Sequence, residues 1–217
     1  MGIIKVLIAD DHLLVRTGIT SLLKDADEIE VIAEAENGKD ALRLIESLKP
    51  DVAILDISMP FKSGLKVLLE INEKKLSPTK IILLTMHHNQ NYLFKAISLG
   101  VKGYILKDDA IAEIRKGIET VILGEPYIST SLSEILDKKI RRSTGKKQNL
   151  QSISSLTNME RQILKLISEW KTNNEIAEEL FISPRTAGNH RNNISQKLNL
   201  SGTYGVIKFA LENKDLF

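Results

Sequence analysis

Short apolar runs and amphipathic stretches alternate through the first half of the chain. The runs Ile3–Ala9, Val31–Ala35, Val52–Leu55, Ile81–Thr85 and Gly103–Leu106 are partly β-branched and bounded by polar or turn residues, which predicts five strands. Helical spacing fills the gaps. Leu14, Gly18, Ile19, Leu22 and Leu23 share a face, and Ala41, Leu42, Ile45 and Leu48 share another that stops before Pro50. Leu65, Leu68, Leu69 and Ile71 follow Gly64; Leu93, Ala96 and Ile97 lead to Gly100; Ile111, Ile114, Ile118, Val121 and Ile122 form the fifth stripe. Five β units alternating with five α units predict an α/β doubly wound domain with a five-stranded parallel sheet. Val52–Leu55 and Ile81–Leu84 are entirely apolar, as strands covered on both faces should be.

After residue 152 the pattern is only helical. Thr157 with Glu160 has capping-box spacing, and Ile163, Leu164, Leu166 and Ile167 then line a face up to Trp170. A short helix is expected from about Asn174 to Leu180. Ser183-Pro184 then starts a third helix reaching Leu198, and a fourth holds Gly205 to Leu211. Between the halves, Lys138, Lys139, Arg141, Arg142, Lys146 and Lys147 surround Ser143-Thr144-Gly145, which reads as a linker with a short helix before it. Its cations are either a solvated face or contacts to DNA phosphates. The expected organisation is a domain over 1–124, a linker over 125–152 and an all-α four-helix domain over 153–217.

Composition adds limits. The 217 residues include no cysteine, which excludes disulfides and thiolate metal sites. No apolar run approaches the ~18 residues of a membrane span, so a cytoplasmic protein without membrane contact is expected. The net charge of +2 divides as −2 over residues 1–124 (16 basic, 18 acidic), +3 over 125–152 (6 and 3) and +1 over 153–217 (8 and 7). The basic excess therefore lies after the acidic half, toward a nucleic-acid contact, although +1 is ordinary for a domain that never meets DNA.

Doubly wound sheets bind ligands beyond the carboxyl ends of their strands. There the first strand ends in Asp10-Asp11, the third in Asp56 and the fourth in Thr85, while Lys107 follows the fifth. Three carboxylates repel one another unless a cation joins them, and oxygen ligands of this kind suit Mg²⁺. A carboxylate beside Mg²⁺ can attack a phosphoryl group and form an aspartyl-phosphate. Lys107 could then pair with phosphoryl oxygens and Thr85 could donate to one. Each residue alone has a plainer role: strand-end aspartates cap helices, and single lysines are usually solvated.

Ile8-Ala9-Asp10-Asp11-His12, Leu55-Asp56-Ile57-Ser58-Met59-Pro60 with Gly64, Leu84-Thr85-Met86-His87 and Gly103-Tyr104-Ile105-Leu106-Lys107 closely resemble the receiver domain of bacterial response regulators, over about residues 3–124. The resemblance implies a flavodoxin-like fold with Asp56 as phosphoacceptor for a sensor histidine kinase. It implies Mg²⁺ held by Asp10, Asp11, Asp56 and the backbone carbonyl of Ser58. Thr85 and Lys107 would read the phosphoryl group, and Tyr104 would be the aromatic switch residue. Two features depart from many receivers: no proline follows Lys107-Asp108, and Met86 replaces a smaller residue.

The segment from Asn174 to Leu198 has the helix, short turn and longer helix of a DNA-reading motif. Ala187, Ile194 and Leu198, with part of His190 or Arg191, should face inward. Arg185, Asn189, Asn192 and Gln196 lie opposite, with Gly188 on the same outer face; asparagine and glutamine can read adenine and arginine guanine. A plain bundle with a polar solvent face has the same pattern. Leu156–Leu164, Asn174-Glu175-Ile176-Ala177 and Ile182–Ile194 resemble the LuxR-type domain over about residues 153–214. A receiver followed by this domain is the arrangement of the NarL/FixJ family. The resemblance implies a transcription factor that binds double-stranded DNA as a homodimer, formed on phosphorylation or on DNA, and works with RNA polymerase. DNA contacts would come from Arg185, Thr186, Asn189, Arg191, Asn192 and Gln196. Gly188 stands where family members often carry lysine, and Ala187 where they carry valine. Asn158 and Gln162 replace a proline and a glutamate. Two other readings remain: a phosphohydrolase with Asp56 as nucleophile, which would want an acid where Ser58 stands, and an interaction switch whose last domain no longer binds DNA.

Overall fold

The computed structural model describes residues 2–74, 78–86, 90–133, 153–202 and 204–214. They contain two compact units, each with its own core. In the first, a parallel sheet is built from β1 (Ile4–Ala9), β2 (Ile29–Ala35), β3 (Val52–Asp56), β4 (Lys80–Thr85), β5 (Gly103–Leu106) and β6 (Tyr127–Ile128). Its order is β2-β1-β3-β4-β5-β6. The chain reverses its direction of winding between β1 and β3, which opens a crevice at their carboxyl ends.

Helices α1 (Leu13–Lys24), α2 (Gly38–Leu48), α3 (Gly64–Glu73), α4 (Gln90–Ser98) and α5 (Ala110–Ile122) connect the strands, with a 3₁₀ turn at Lys107–Asp109 before α5. One core layer joins Val6, Ile8, Ile54, Ile82 and Ile105 to Ile19 and Leu23 of α1 and to Ile114, Ile118 and Val121 of α5. Alternate sheet residues Leu7, Ala53, Leu55 and Leu83 are also fully buried, so both faces are covered. Side-chain caps start two of these helices: Asn37 Oδ1 accepts from the Asp40 amide at 2.9 Å, and Ser63 caps α3.

Two expectations are corrected here. The sheet has six strands, not five. Tyr127–Ile128, assigned to the linker, pairs parallel with β5. Two residues are too few for any alternation to show in sequence. Residues 134–152, with the basic stretch and its expected short helix, lie outside the described residues. The buried face of α1 keeps Ile19 and Leu23 as expected, but Arg16 points inward with them, whereas Leu14 is 86% exposed. Ile111 of α5 is exposed as well.

The second unit includes α6 (Asn158–Ser168), α7 (Asn173–Glu179), α8 (Pro184–Lys197) and α9 (Gly205–Glu212). Both α6 and α7 begin with complete capping boxes, Thr157 with Glu160 and Thr172 with Glu175. Ser183 caps α8, with Pro184 in its first turn. Ile163, Leu164, Ile167, Ile176, Ala187 and Ile194 are buried between the helices. Glu160 is buried too, and its Oε2 lies 2.8 Å from Nζ of Lys197, which fastens the end of α8 to the start of α6. Phe181, in the turn between α7 and α8, has φ of 55° and is almost wholly exposed.

Candidate functional site

At the carboxyl end of the sheet, β1 delivers Asp10 and β3 delivers Asp56, both buried, while Asp11 stands at the rim. Asp10, Asp11, His12 and Asp56 each offer a ligand atom, all within 4.8 Å of one another. Lys107 reaches in from the end of β5: its Nζ lies 2.7 Å from Asp10 Oδ2 and 3.1 Å from Asp56 Oδ2. Asp10 Oδ1 accepts from the His12 amide at 2.9 Å. Thr85 ends β4, the strand beside β3, and is buried. Tyr104 is fully buried in β5, opposite Leu83 of β4.

Burial pushes the Asp56 carboxyl above the ordinary aspartate range, and the neighbouring Asp10 charge pushes the same way. Lys107 and the Ser58 amide, which donates to Asp56, pull against this without cancelling it. Burial presses the Lys107 ammonium down, but hydrogen bonding and attraction to Asp10 and Asp56 outweigh it, so the net shift is upward. The pocket therefore crowds carboxylates that one ammonium only partly compensates. Its donor set, hard oxygens from three aspartates, fits a Mg²⁺ ion.

Of the sequence-predicted site residues, Asp10, Asp11, Asp56 and Lys107 are thus brought together, while Thr85 is placed by its position at the end of the neighbouring strand. Two neighbours were missed. His12 lies against the acids, its Nδ1 2.9 Å from Asp11 Oδ1; adjacency to two aspartates was the available signal. Arg16 is buried and donates from Nη1 to the Asp10 carbonyl at 2.7 Å. Its signal was a cation at helical spacing from Ile19 and Leu23. Farther along β5, the amides of Tyr127 and Ser129 donate to the carbonyls of Lys102 and Tyr104 at 2.9 and 3.0 Å. Glu113 of α5 accepts from the Tyr127 hydroxyl and the Thr130 amide.

In the helical unit, α8 exposes Arg185, Asn189, Asn192 and Gln196 on one side, as the spacing required. Thr186 is half-buried; its amide and hydroxyl both contact Ser183 Oγ, at 3.0 and 2.7 Å, within the α8 cap. Arg191 turns toward α7, where its Nη1 donates to Asn173 Oδ1 at 2.7 Å. Gly188 sits on the flank of the outer face, half-buried; a Cβ there would meet Asn173 Nδ2 at 3.6 Å, an ordinary contact. The α8 face is thus held at one side by α7 and open at the other.

A parallel sheet with an acidic pocket at its switch point, followed by a capped helix-turn-helix, defines a response regulator: a receiver coupled to a DNA-binding domain. Residues 6–119 match the family described as response regulator receiver domain, and residues 154–210 match the LuxR family of bacterial regulatory proteins. The oxygen regulatory protein NreC of Staphylococcus carnosus is 38% identical over 213 residues, 97% of this chain and 98% of that protein. A LuxR-family DNA-binding response regulator from Staphylococcus aureus superposes with a TM-score of 0.53 at 38% identity, over 55% of this chain and 99% of the other. The response regulator RcsB of Salmonella typhimurium gives 0.58 at 25% identity, over 96% and 98%. The chain belongs to the two-component response regulators of the NarL type, in which a receiver precedes a LuxR-type domain.

It is accordingly a DNA-binding transcriptional regulator and not an enzyme, and its receiver implies a sensor kinase as partner. The phosphohydrolase reading falls with this assignment. Among the described residues no helix is long and apolar enough to cross a membrane.

Proposed function

We propose that Asp56 is the phosphoacceptor and that its phosphorylation by a sensor histidine kinase switches DNA binding by α8. The observation that carries this reading is Lys107 bridging Asp10 and Asp56 beside Asp11, at the carboxyl ends of three strands. An Asp56 carboxylate oxygen would attack the phosphorus of a phosphohistidine; the new O–P bond forms as the P–N bond breaks, and the electron pair leaves with the imidazole. Asp10, Asp11, Asp56 and the Ser58 carbonyl would hold Mg²⁺, which offsets the carboxylate charge and draws phosphoryl oxygens into line. Lys107 would exchange part of its pairing with Asp10 for a phosphoryl oxygen. Thr85 would donate to another, and Tyr104 behind it would register the change.

On the DNA side, Arg185, Asn189, Asn192 and Gln196 would read base edges, with Thr186 and Arg191 near the duplex. A cytoplasmic homodimer formed on phosphorylation or on DNA, acting with RNA polymerase, completes the reading. Its domains would be a receiver over 1–124 carried on through β6, a linker to 152 and a DNA-binding domain over 153–217. The named role of the NreC relatives makes an oxygen-linked signal the first to try.

The test is intact mass after incubation with acetyl phosphate and Mg²⁺. The expected result is one phosphoryl adduct on wild type and none on Asp56→Asn. An adduct that persists in Asp56→Asn would move the acceptor elsewhere.

A further inference from the structure

Arg16 is a guanidinium inside the α1 face that packs on the sheet, 4% exposed, with no place in the phosphorylation scheme above. Burying such a charge is costly unless hydrogen bonds and counter-charges surround it. Its partners are specific. Nη1 donates to the main-chain carbonyl of Asp10 at 2.7 Å, Nη2 to Glu36 Oε1 at 3.0 Å, and Nε lies 3.5 Å from Glu34 Oε2. Glu34 is further fixed by the Thr20 hydroxyl at 2.9 Å.

Glu34 and Glu36 flank Ala35, and the Ala35 carbonyl accepts from the Asp10 amide at 3.2 Å. The end of β2 therefore grips Asp10 twice, directly at its amide and through Arg16 at its carbonyl. That carbonyl belongs to the peptide joining Asp10 to Asp11. Rotating this peptide would swing the Asp11 carboxylate relative to the Asp10 carboxylate, which is held independently by Lys107 and the His12 amide. A planar fork donates to the carbonyl and to one carboxylate at once while its charge faces a second; lysine would supply the charge but not the geometry.

We infer that Arg16 is a positioning residue for the divalent cation: it locks the Asp10–Asp11 peptide so that the two carboxylates converge on one ion. This rests on Asp10 and Asp11 holding the metal. The guanidinium touches neither the ion nor the phosphoryl group, so its loss should weaken metal affinity and leave the chemistry at saturating metal intact.

The experiment uses the full chain. Mg²⁺ affinity is measured by titration calorimetry without phosphodonor, and the rate of adduct formation from acetyl phosphate is measured against Mg²⁺ concentration. Arg16→Lys and Arg16→Gln should each raise the Mg²⁺ dissociation constant roughly 10-fold or more, as removing a group that orients a metal ligand does. The rate at saturating Mg²⁺ should stay within about twofold of wild type, given that range of effects on binding alone. Arg16→Lys keeps a buried cation and so guards against simple misfolding of Arg16→Gln. Unchanged Mg²⁺ affinity in Arg16→Lys would overturn the inference and leave Arg16 a packing element. A collapse of the saturated rate with affinity intact would overturn it as well. Asp11→Asn is measured alongside: if it leaves Mg²⁺ affinity unchanged, the metal site itself has been misplaced and Arg16 loses its object.

Discussion

Gly64 lies against the peptide of Asp56 so closely that a Cβ at position 64 would stand 2.4 Å from the Asp56 carbonyl oxygen. The first residue of α3 and the last residue of β3 are therefore in main-chain contact, and the Gly64 amide also donates to the Ile57 carbonyl at 3.1 Å. Gly64→Ala should force β3 and α3 apart, with a loss of about 1–3 kcal/mol typical of overpacking. Urea unfolding measures the loss, and acetyl-phosphate labelling of Asp56 should slow in the same variant. A Gly64→Ala protein as stable as wild type would mean that α3 shifts without cost.

The Asp56 shift predicts a pH dependence. Its folded pKa lies above the unfolded value because burial and Asp10 disfavour the charge. The stability it contributes is thus present at acid pH and lost as pH rises through the folded pKa. In chelator at pH 7, Asp56→Asn should therefore melt a few degrees above wild type. The gain should vanish near pH 3, where Asp56 is already neutral, and shrink when Mg²⁺ is added. A mutant less stable than wild type at pH 7 in chelator would contradict this.

Gly188 costs α8 stability without a steric reason. Its φ is not positive, and an added Cβ meets only Asn173 Nδ2 at 3.6 Å. Gly188→Ala should stabilise the protein by about 0.4–1 kcal/mol through lower unfolded-state entropy and better helix propensity. Denaturant unfolding followed at Trp170, which is buried in the same unit, reads this directly. A destabilised variant would show that the flank is tighter than it looks.

Arg185 and Arg191 should separate in a salt titration. Arg185 is exposed on the outer face, whereas Arg191 is committed to Asn173. On a duplex of random sequence, which offers no cognate base, the Arg185 guanidinium falls back on phosphate, so Arg185→Met should reduce the salt slope of binding by about 1. Arg191→Met should weaken binding at every salt concentration with the slope unchanged, because it loosens α8 on α7. A reduced slope in Arg191→Met would mean that it also meets a phosphate.

The Glu160–Lys197 pair sets an acid limit for the helical unit. Burial raises the Glu160 pKa, but Lys197 and the Thr157 cap outweigh it and the net shift is downward. Its stability is present above the unfolded pKa and lost as pH falls through the folded one. Glu160→Gln should remove that part of the acid dependence and cost about 0.5–2 kcal/mol at pH 7, in the range of a lost cap. Melting curves from pH 7 to 3 test this, and an unchanged acid slope would count against it.

Much of the receiver site was legible because its chemistry sits at the ends of apolar runs. Once Val52–Asp56 is a covered strand, Asp56 must lie at its carboxyl end, and Asp10, Thr85 and Lys107 follow by the same logic. What escaped lies where one residue type serves two purposes. Arg16 occupies a helical position that periodicity reserves for an apolar side chain, so the pattern alone points the stripe through Leu14. Arg191 has the chemistry of a DNA contact and the helical angle of a packing residue, and its pairing with Asn173 shows only the second. Gly188 falls with the outer face by spacing, because a 3.6-residue period does not say where the neighbouring helix begins.

The pairing of β6 with β5 changes where the receiver can be cut. A fragment ending at 124 would bare the carbonyls of Lys102 and Tyr104 along the outer side of β5 and turn a covered strand into an open edge, ready to recruit a strand from another molecule. A fragment carried to 133 keeps Tyr127, Ser129 and the Glu113 clamp in place. The short strand thus covers the outer edge of β5, and two fragments differing by nine residues should differ in whether they stay monomeric.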